Sequence, residues 1–341
     1  MKKINLILMI LMFIATGLSF GQSDRIGTAG ATELLIPVGA RGVAMGSASL
    51  TNSVGADAIY WNPANIARSS NSVDVIVSHM NYIADIGVEY GAIGVNLGDF
   101  GSMAFSIKSL GIGDIIKTTT INPDGTGQTF APQYTTLGLS YSKMLSDRVS
   151  VGTNINWVSE NIDLVTASGV SFDFGVTYSE LAGISGFSMA VILKNIGPDM
   201  KFDGSGLWLT ATNTKQARGE QFYKIDAAQF SLPTTLDIGL GYQLSIDSQN
   251  SLNLSGTFVN HNFYTDQYKV GAEYNFDNLL FFRGGYNYTT EFAEDETLYD
   301  FSLGFGLNYN IGGVGVMVDY AYLPTQYFDD THVISLSLGI E

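Results

Sequence analysis

The sequence predicts an all-β fold: a transmembrane antiparallel β-barrel of about 14 strands, with an N-terminal plug segment in the lumen. Three observations point there. From Ser72 onward, apolar residues alternate with polar or small ones at a period of two. The runs reach roughly 10 to 13 residues, where a tilted membrane strand needs about 9 to 11 and a soluble strand averages about five or six. The connections alternate between tight turns and long loops, as in a barrel with its loops on one side of a membrane. One strand face is aliphatic or aromatic. The other carries Glu89, Asn154, Asn156, Ser171, Asp173, Asp237, Gly239, Gly241, Gln243, Lys269, Glu273, Arg283, Asp300 and Asp319. A dry sandwich core would leave such charges unpaired at high cost, whereas a wet lumen with a polar plug accommodates them.

Composition agrees. The 341 residues include 39 Gly, 18 Tyr and 20 Phe, with 14% charged residues and no Cys. Barrels use aromatics as girdles at both interfaces and small residues where the inside is crowded. A soluble all-β protein shares the Gly and aromatic content, so strand length and loop alternation decide between the two. A formal net charge of -16 argues against a nucleic-acid partner, which would require a basic face. Without Cys there are no disulfides, no thiolate catalysis, no zinc–thiolate site and no lipidated cysteine.

In chain order, residues 1–21 read as a signal peptide. Lys2 and Lys3 form a basic start, 4–14 an apolar core too short to span a bilayer, and Ser19 and Gly21 the small residues before cleavage at Gln22. The chain is thus expected to be exported. Residues 22–70 read as the plug, built from short helices. Asn62 followed by Pro63 is a helix start, Asn as cap and Pro at the first helical position. Tyr60 and Trp61 supply flat surfaces to wedge against the wall. Arg41, among Gly39, Ala40, Gly42 and Ala44, is expected to be buried in the lumen and to need a carboxylate from Asp173, Asp237, Glu273, Asp300 or Asp319. Arg283 belongs to the same set of lumen charges.

Residues 71–341 read as the barrel. The second strand slips phase at Gly91-Ala92, as a bulge would do. Turns are tight after strands 2, 4, 8, 10 and 12 and moderate after strand 6. Loops are long after strands 3, 7, 11 and 13, and the short link after strand 1 is the exception. None of the seven Pro residues interrupts a strand, where it would delete a ladder hydrogen bond. Leu207, Trp208 and Leu209 in the longest loop suggest an external docking surface or a lid, or a loop folded back on the barrel mouth. Glu291, Glu294, Asp295 and Glu296 read as a solvated acidic loop, with a divalent-cation site as the sharper alternative. His79, His261 and His332 have no ligand spacing, and there is no P-loop or dinucleotide fingerprint. No catalytic, cofactor or metal-binding residue is assigned.

Two motifs carry a resemblance. Gly39-Ala40-Arg41-Gly42-Val43-Ala44-Met45-Gly46, followed by Ala56-Asp57-Ala58-Ile59-Tyr60-Trp61-Asn62-Pro63-Ala64, resembles the N-terminal signature of the PorV/PorQ family, within the wider FadL-like (OMPP1/TodX) superfamily of outer-membrane barrels. The resemblance implies a cell outer-membrane component of the type IX secretion system. Its implied partners are outer-membrane lipid, secretion translocon and surface-attachment proteins, and secreted proteins carrying a C-terminal signal domain. The segment Asn52-Ser53-Val54-Gly55-Ala56-Asp57 departs from the paired acids usual in the family, and the chain ends in Glu341 rather than an aromatic. The leading expectation is a non-enzymatic barrel acting in translocation or surface attachment through protein–protein contacts. The alternative is a FadL-like channel for hydrophobic small molecules such as fatty acids, with a lipid-like ligand. An outer-membrane enzyme would require His79 or His261 beside a carboxylate and a Ser.

Overall fold

The computed structural model describes residues 26–212, 219–290 and 298–341. The signal-peptide stretch and the acidic residues Glu291, Glu294, Asp295 and Glu296 lie outside the described residues. Fourteen long strands form the wall: β1 Val73–Asn81, β2 Gly87–Asn96, β3 Ser102–Gly111, β4 Gln133–Met144, β5 Val149–Ile162, β6 Val165–Ser179 and β7 Phe187–Ile196. They continue as β8 Thr235–Ser245, β9 Asn250–His261, β10 Gln267–Phe276, β11 Leu280–Thr289, β12 Phe301–Ile311, β13 Val314–Leu323 and β14 Thr331–Ile340. Each pairs antiparallel with the next, and β1 pairs with β14 from Val73↔Ile340 to Asn81↔His332. Closure matters because an open edge in hydrocarbon would leave backbone N–H and C=O groups unsatisfied.

The alternation read from sequence sets the two faces. On β12, Phe301, Leu303, Phe305, Leu307 and Tyr309 project outward and are exposed, while Ser302 between them is buried. Two readings of β2 are corrected. Its register with β1 and β3 is continuous through Gly91 and Ala92, so there is no bulge there. The register shift lies between β6 and β7, at Phe172/Phe174. Glu89, read as inward, points outward, and Val88, Tyr90 and Ala92 point in. The apparent phase slip arose because β2 is apolar on both faces. The lumen is correspondingly two-sided: apolar around β1–β3, β13 and β14, and charged around β10, β11 and β13.

Loop lengths alternate less strictly than expected. The links after β5 and β9 are short, as is the one after β1. β5 and β6 compensate by running to 14 and 15 residues, so their hairpin itself rises beyond the membrane band. The longest loop carries a small hairpin, Trp208–Ala211 with Gln221–Lys224. It also carries Met200–Asp203, which extends the wall by pairing with β6.

The segment before β1 lies inside this cylinder. It contains 3-10 turns at Thr32–Leu35, Gly55–Asp57 and Pro63–Arg68, and short helices α1 Ala40–Ala44 and α2 Ala58–Trp61. α1 packs against β11–β14, Gly55–Asp57 against β1 and β2, and Pro63–Arg68 against β3–β6. Elements packed on opposite arcs of one wall can only be within it. Inward-facing glycines allow this approach. A Cβ on Gly285 would lie 1.9 Å from the backbone N of Gly46, and one on Gly152 would lie 2.3 Å from the carbonyl carbon of Pro63. Replacing Gly285 by Ala should therefore destabilise the barrel by about 1–3 kcal/mol, the usual cost of overpacking. Gly256→Ala, which meets nothing nearer than Lys269 O at 3.9 Å, should shift it by under about 0.5 kcal/mol. Urea titration of the heat-modifiable gel band measures both; equal effects would mean the glycine seam is not what seats the segment.

Candidate functional site

The interface between the segment and the lumen wall holds several buried polar side chains, among them Asn62, Lys108, Glu160 and Glu273. At its centre is Glu273 on β10, 1% exposed. Arg41 on α1 donates Nε to Glu273 Oε2 and Nη2 to Oε1, both at 2.9 Å. Arg283 on β11 donates Nε to the same Oε2 at 2.6 Å, and Asn253 donates Nδ2 to Oε1 at 2.9 Å. Arg283 Nη1 then reaches Asp319 Oδ1 on β13 at 2.7 Å. Arg41 Nη1 also lies 4.0 Å from Asp57, an ion contact too long for a hydrogen bond. Two guanidinium groups and three carboxylates thus tie α1 to three strands. A planar fork is suited to this bidentate grip. Arg41 and Asp57 line a cavity of about 310 Å³ at the tight-turn end, with Asp74 and Glu341.

The pool proposed for Arg41 divides. Glu273 takes it directly and Asp319 is joined through Arg283. Asp173, Asp237 and Asp300 are corrected, because each sits on other groups or faces a different space. Asp173 accepts from Asn154, Asn156 and the Asn195 backbone. Asp237 lies 3.7 Å from Lys194. Asp300 lines a lumen cavity of about 290 Å³ with Leu50, Trp61, Val259, His261 and Lys269. Asp57 was quoted in the signature motif but not offered as a partner. Only the folded chain brings it back beside Gly39.

The Trp61-Asn62-Pro63-Ala64 motif forms a second seat. Asn62, fully buried, accepts from Ala64 N at 3.1 Å as the expected cap. Its amide donates to Thr177 Oγ1 on β6 at 2.9 Å and to Leu50 O at 3.2 Å. A Cβ on Gly175 would stand 2.2 Å from Asn62 Oδ1, so the wall is cut to this side chain. Trp61 lies against Gly42, where a Cβ would be 2.4 Å from the indole, and meets Tyr60 edge-on at 5.0 Å.

A third seat was not read from the sequence. Lys108 on β3 is buried and donates Nζ to the carbonyls of Glu33 and Ile36. Its ammonium stands 5.2 Å from the Tyr60 ring and that of Lys194 stands 4.7 Å from it, so one ring serves two cations. Glu160 on β5 accepts from Ala31 N at 3.0 Å. The signal for Lys108 was available: it stands on the inward phase of β3, opposite Ile107. Burial, then the Glu160 carboxylate, raises the Glu33 carboxyl above the usual range. Burial raises Asp57 to about 6 against the pull of Arg41.

The histidines are dispersed. His79 faces outward with Nδ1 2.6 Å from Glu89 Oε1 and Nε2 2.9 Å from Asn81 Oδ1, so no hydroxyl meets its second nitrogen. His261 lines the lumen cavity, edge-on to Tyr264, and His332 Nδ1 lies 2.7 Å from Tyr320 OH. In the outer loop Leu207 closes a 3-10 turn, and Trp208 and Leu209 begin the small hairpin, the latter two exposed.

A family model for the type IX secretion system protein PorV matches residues 20–263. Among solved structures, the chain resembles the Pseudomonas putida toluene transporter TodX with a TM-score of 0.54 at 12% identity, covering 87% of this chain and 96% of that one. It resembles a TodX deltaS2S3 mutant, described as a monoaromatic hydrocarbon channel, with a TM-score of 0.52 at 13% identity, covering 88% and 97%. At such identities these likenesses establish the fold. No curated protein sequence matches the chain.

Two outcomes follow from the charge cluster. Arg41→Ala leaves Glu273 still held by Arg283, so it should cost about 2–3 kcal/mol; Glu273→Gln removes the charge both guanidinium groups share, leaving Arg283 only Asp319 and Arg41 only the longer contact with Asp57, and should cost about 3–5 kcal/mol. Urea unfolding measures the order, and a cheaper Glu273 variant would contradict the geometry. The Asp57 carboxyl is raised from 3.8 to about 6 on folding. Its contribution is full below about 3.8 and fades as pH rises through about 6. Lowering pH from 7 to 5 should therefore tighten the segment by about 1 kcal/mol, read as slower protease cleavage within it. Asp57→Asn should remove that part of the pH dependence; an unchanged slope would assign it to another group.

Proposed function

This chain belongs to the PorV family of type IX secretion system proteins and lies in the outer membrane, and we propose that it serves there as a non-enzymatic barrel in the translocation or surface attachment of secreted proteins. It works through protein–protein contacts. The observation that carries this reading is the filling of the lumen. Three seats, centred on Arg41, Asn62 and the Tyr60 ring with Lys108, hold the chain's own segment against the wall. Residues 22–70 then act as a plug, 71–341 as the barrel, and the work is done on the outer surface and the extracellular rim. Leu207, Trp208 and Leu209 form the docking loop. Its partners are the translocon, the surface-attachment proteins and secreted proteins with a C-terminal signal domain.

A second reading, the channel for hydrophobic small molecules such as fatty acids, is favoured by one observation. The lumen cavity of about 290 Å³ sets Leu50, Trp61 and Val259 beside Lys269, a mixed lining of the kind that takes an amphipathic molecule. Native mass spectrometry of the gently extracted barrel separates the two, since a bare protein removes this reading.

Deleting the gene should abolish surface attachment of proteins bearing the C-terminal signal. Trp208→Asp with Leu209→Asp should lower it roughly tenfold while the barrel still assembles, the loss expected of a small exposed apolar hot spot. Normal attachment in the deletion strain sinks the secretion reading. In planar bilayers Arg41→Ala should raise conductance above the wild-type level. Unchanged conductance would mean that the segment does not seal the lumen through Arg41.

A further inference from the structure

One sector of the outer wall departs from the rest. His79 on β1 and Glu89 on β2 are direct cross-strand partners and both project outward, 49% and 62% exposed. They stand six and seven residues above the tight-turn ends of their strands. In a strand tilted by about 40° that is about 15–18 Å up, inside the roughly 25 Å apolar band. At this height most other strands present large apolar or aromatic residues, among them Tyr320, Phe305, Tyr286, Val270, Ile238, Ile155 and Leu137, while β3 presents Ser109 beside Glu89 and β9 presents Gly256. A carboxylate turned to hydrocarbon at that depth is destabilising. The sector is therefore a poor lipid contact.

The outward pair one step below is Val77 and Gly91, again direct partners. Val77 stands out at 49% exposed. Gly91 has only Ile107 Cγ2, at 3.7 Å, near where its Cβ would be, and a notch of about 460 Å³ opens over it. Leu336 flanks Val77 on one side and Ile107 flanks Gly91 on the other. So an imidazole sits beside a carboxylate and a knob beside a hole, in the same order along the wall. A two-fold axis along the membrane normal, between β1 and β2, lays each group on its complement in a second copy. His79 meets Glu89, Val77 enters the notch at Gly91, and Leu336 meets Ile107. Such self-complementarity is what an isologous interface requires. The link between β1 and β2 is also short, residues 82–86, so no long loop of this hairpin stands in the way.

We propose that the β1–β2 face of the barrel wall is a homodimer interface whose occupant is a second copy of this chain. The inference does not rest on the secretion reading. The chain has no Cys, so introduced cysteines report themselves. Full-length barrels carrying Leu336→Cys and others carrying Ile107→Cys, with different tags, would be mixed in bilayers at high lipid excess and oxidised. The 336–107 cross-link should exceed 336–336, 107–107 and the control pair Leu303→Cys with Leu254→Cys by roughly tenfold. Glu89→Lys, checked for barrel assembly by heat-modifiable mobility, should bring it down to the control level. The swap His79→Glu with Glu89→His should restore it. Monomers alone, cross-linking equal at all positions, insensitivity to Glu89→Lys, or a different protein captured at this face in cells would each overturn the proposal.

Discussion

The Glu273 carboxylate is the point on which the interior depends. It is buried on a wall strand, it accepts four hydrogen bonds, and two of its donors come from a guanidinium that belongs to a different part of the chain. Alone, a carboxylate so placed would be intolerable. Arg41 alone in the lumen would fare little better. Each makes the other admissible, and their meeting fixes where α1 stands against β10, β11 and β13. Once α1 is fixed, Trp61 can lie on Gly42 and the chain can proceed to the Asn62 seat on β6.

The wall contributes by what it lacks. Cβ atoms at Gly285, Gly271 or Gly304 would collide with Met45, Gly46 or Ala44, and at Gly152 or Gly175 with Asn62 and Pro63. The high glycine content is therefore partly a mould of the segment, distributed over strands far apart in sequence. Glycine weakens a strand, and the closed ladder with its long pairings offsets that cost.

The barrel was legible because strand alternation is local. A period of two, aromatic ends and turn residues need no knowledge of partners. The same is true of Asn62 as a cap for the turn beginning at Pro63. The pairing of Arg41 was legible only as a pool, because choosing Glu273 over Asp173, Asp237 or Asp300 depends on which arc of wall faces α1, a long-range fact. β2 misled because both of its faces are apolar, one against the segment and one outward, so that period two gave no phase. Lys108 was passed over among alternating residues because its role is to cap carbonyls of the segment, and nothing local shows which carbonyls will come near.

The segment is joined to β1 by only a few residues, and β1 is the strand that must zip to β14 to complete the cylinder. α1 rests on the last four strands of the chain, which are also the last to be synthesised. α1 thus has no wall to settle on until those four strands are in place. Contacts of such high sequence separation are slow to form. The cylinder, once shut, would have to reopen to admit a latecomer. Assembly is in this sense a packing problem with a deadline: the contents must be aboard before the last seam is sewn.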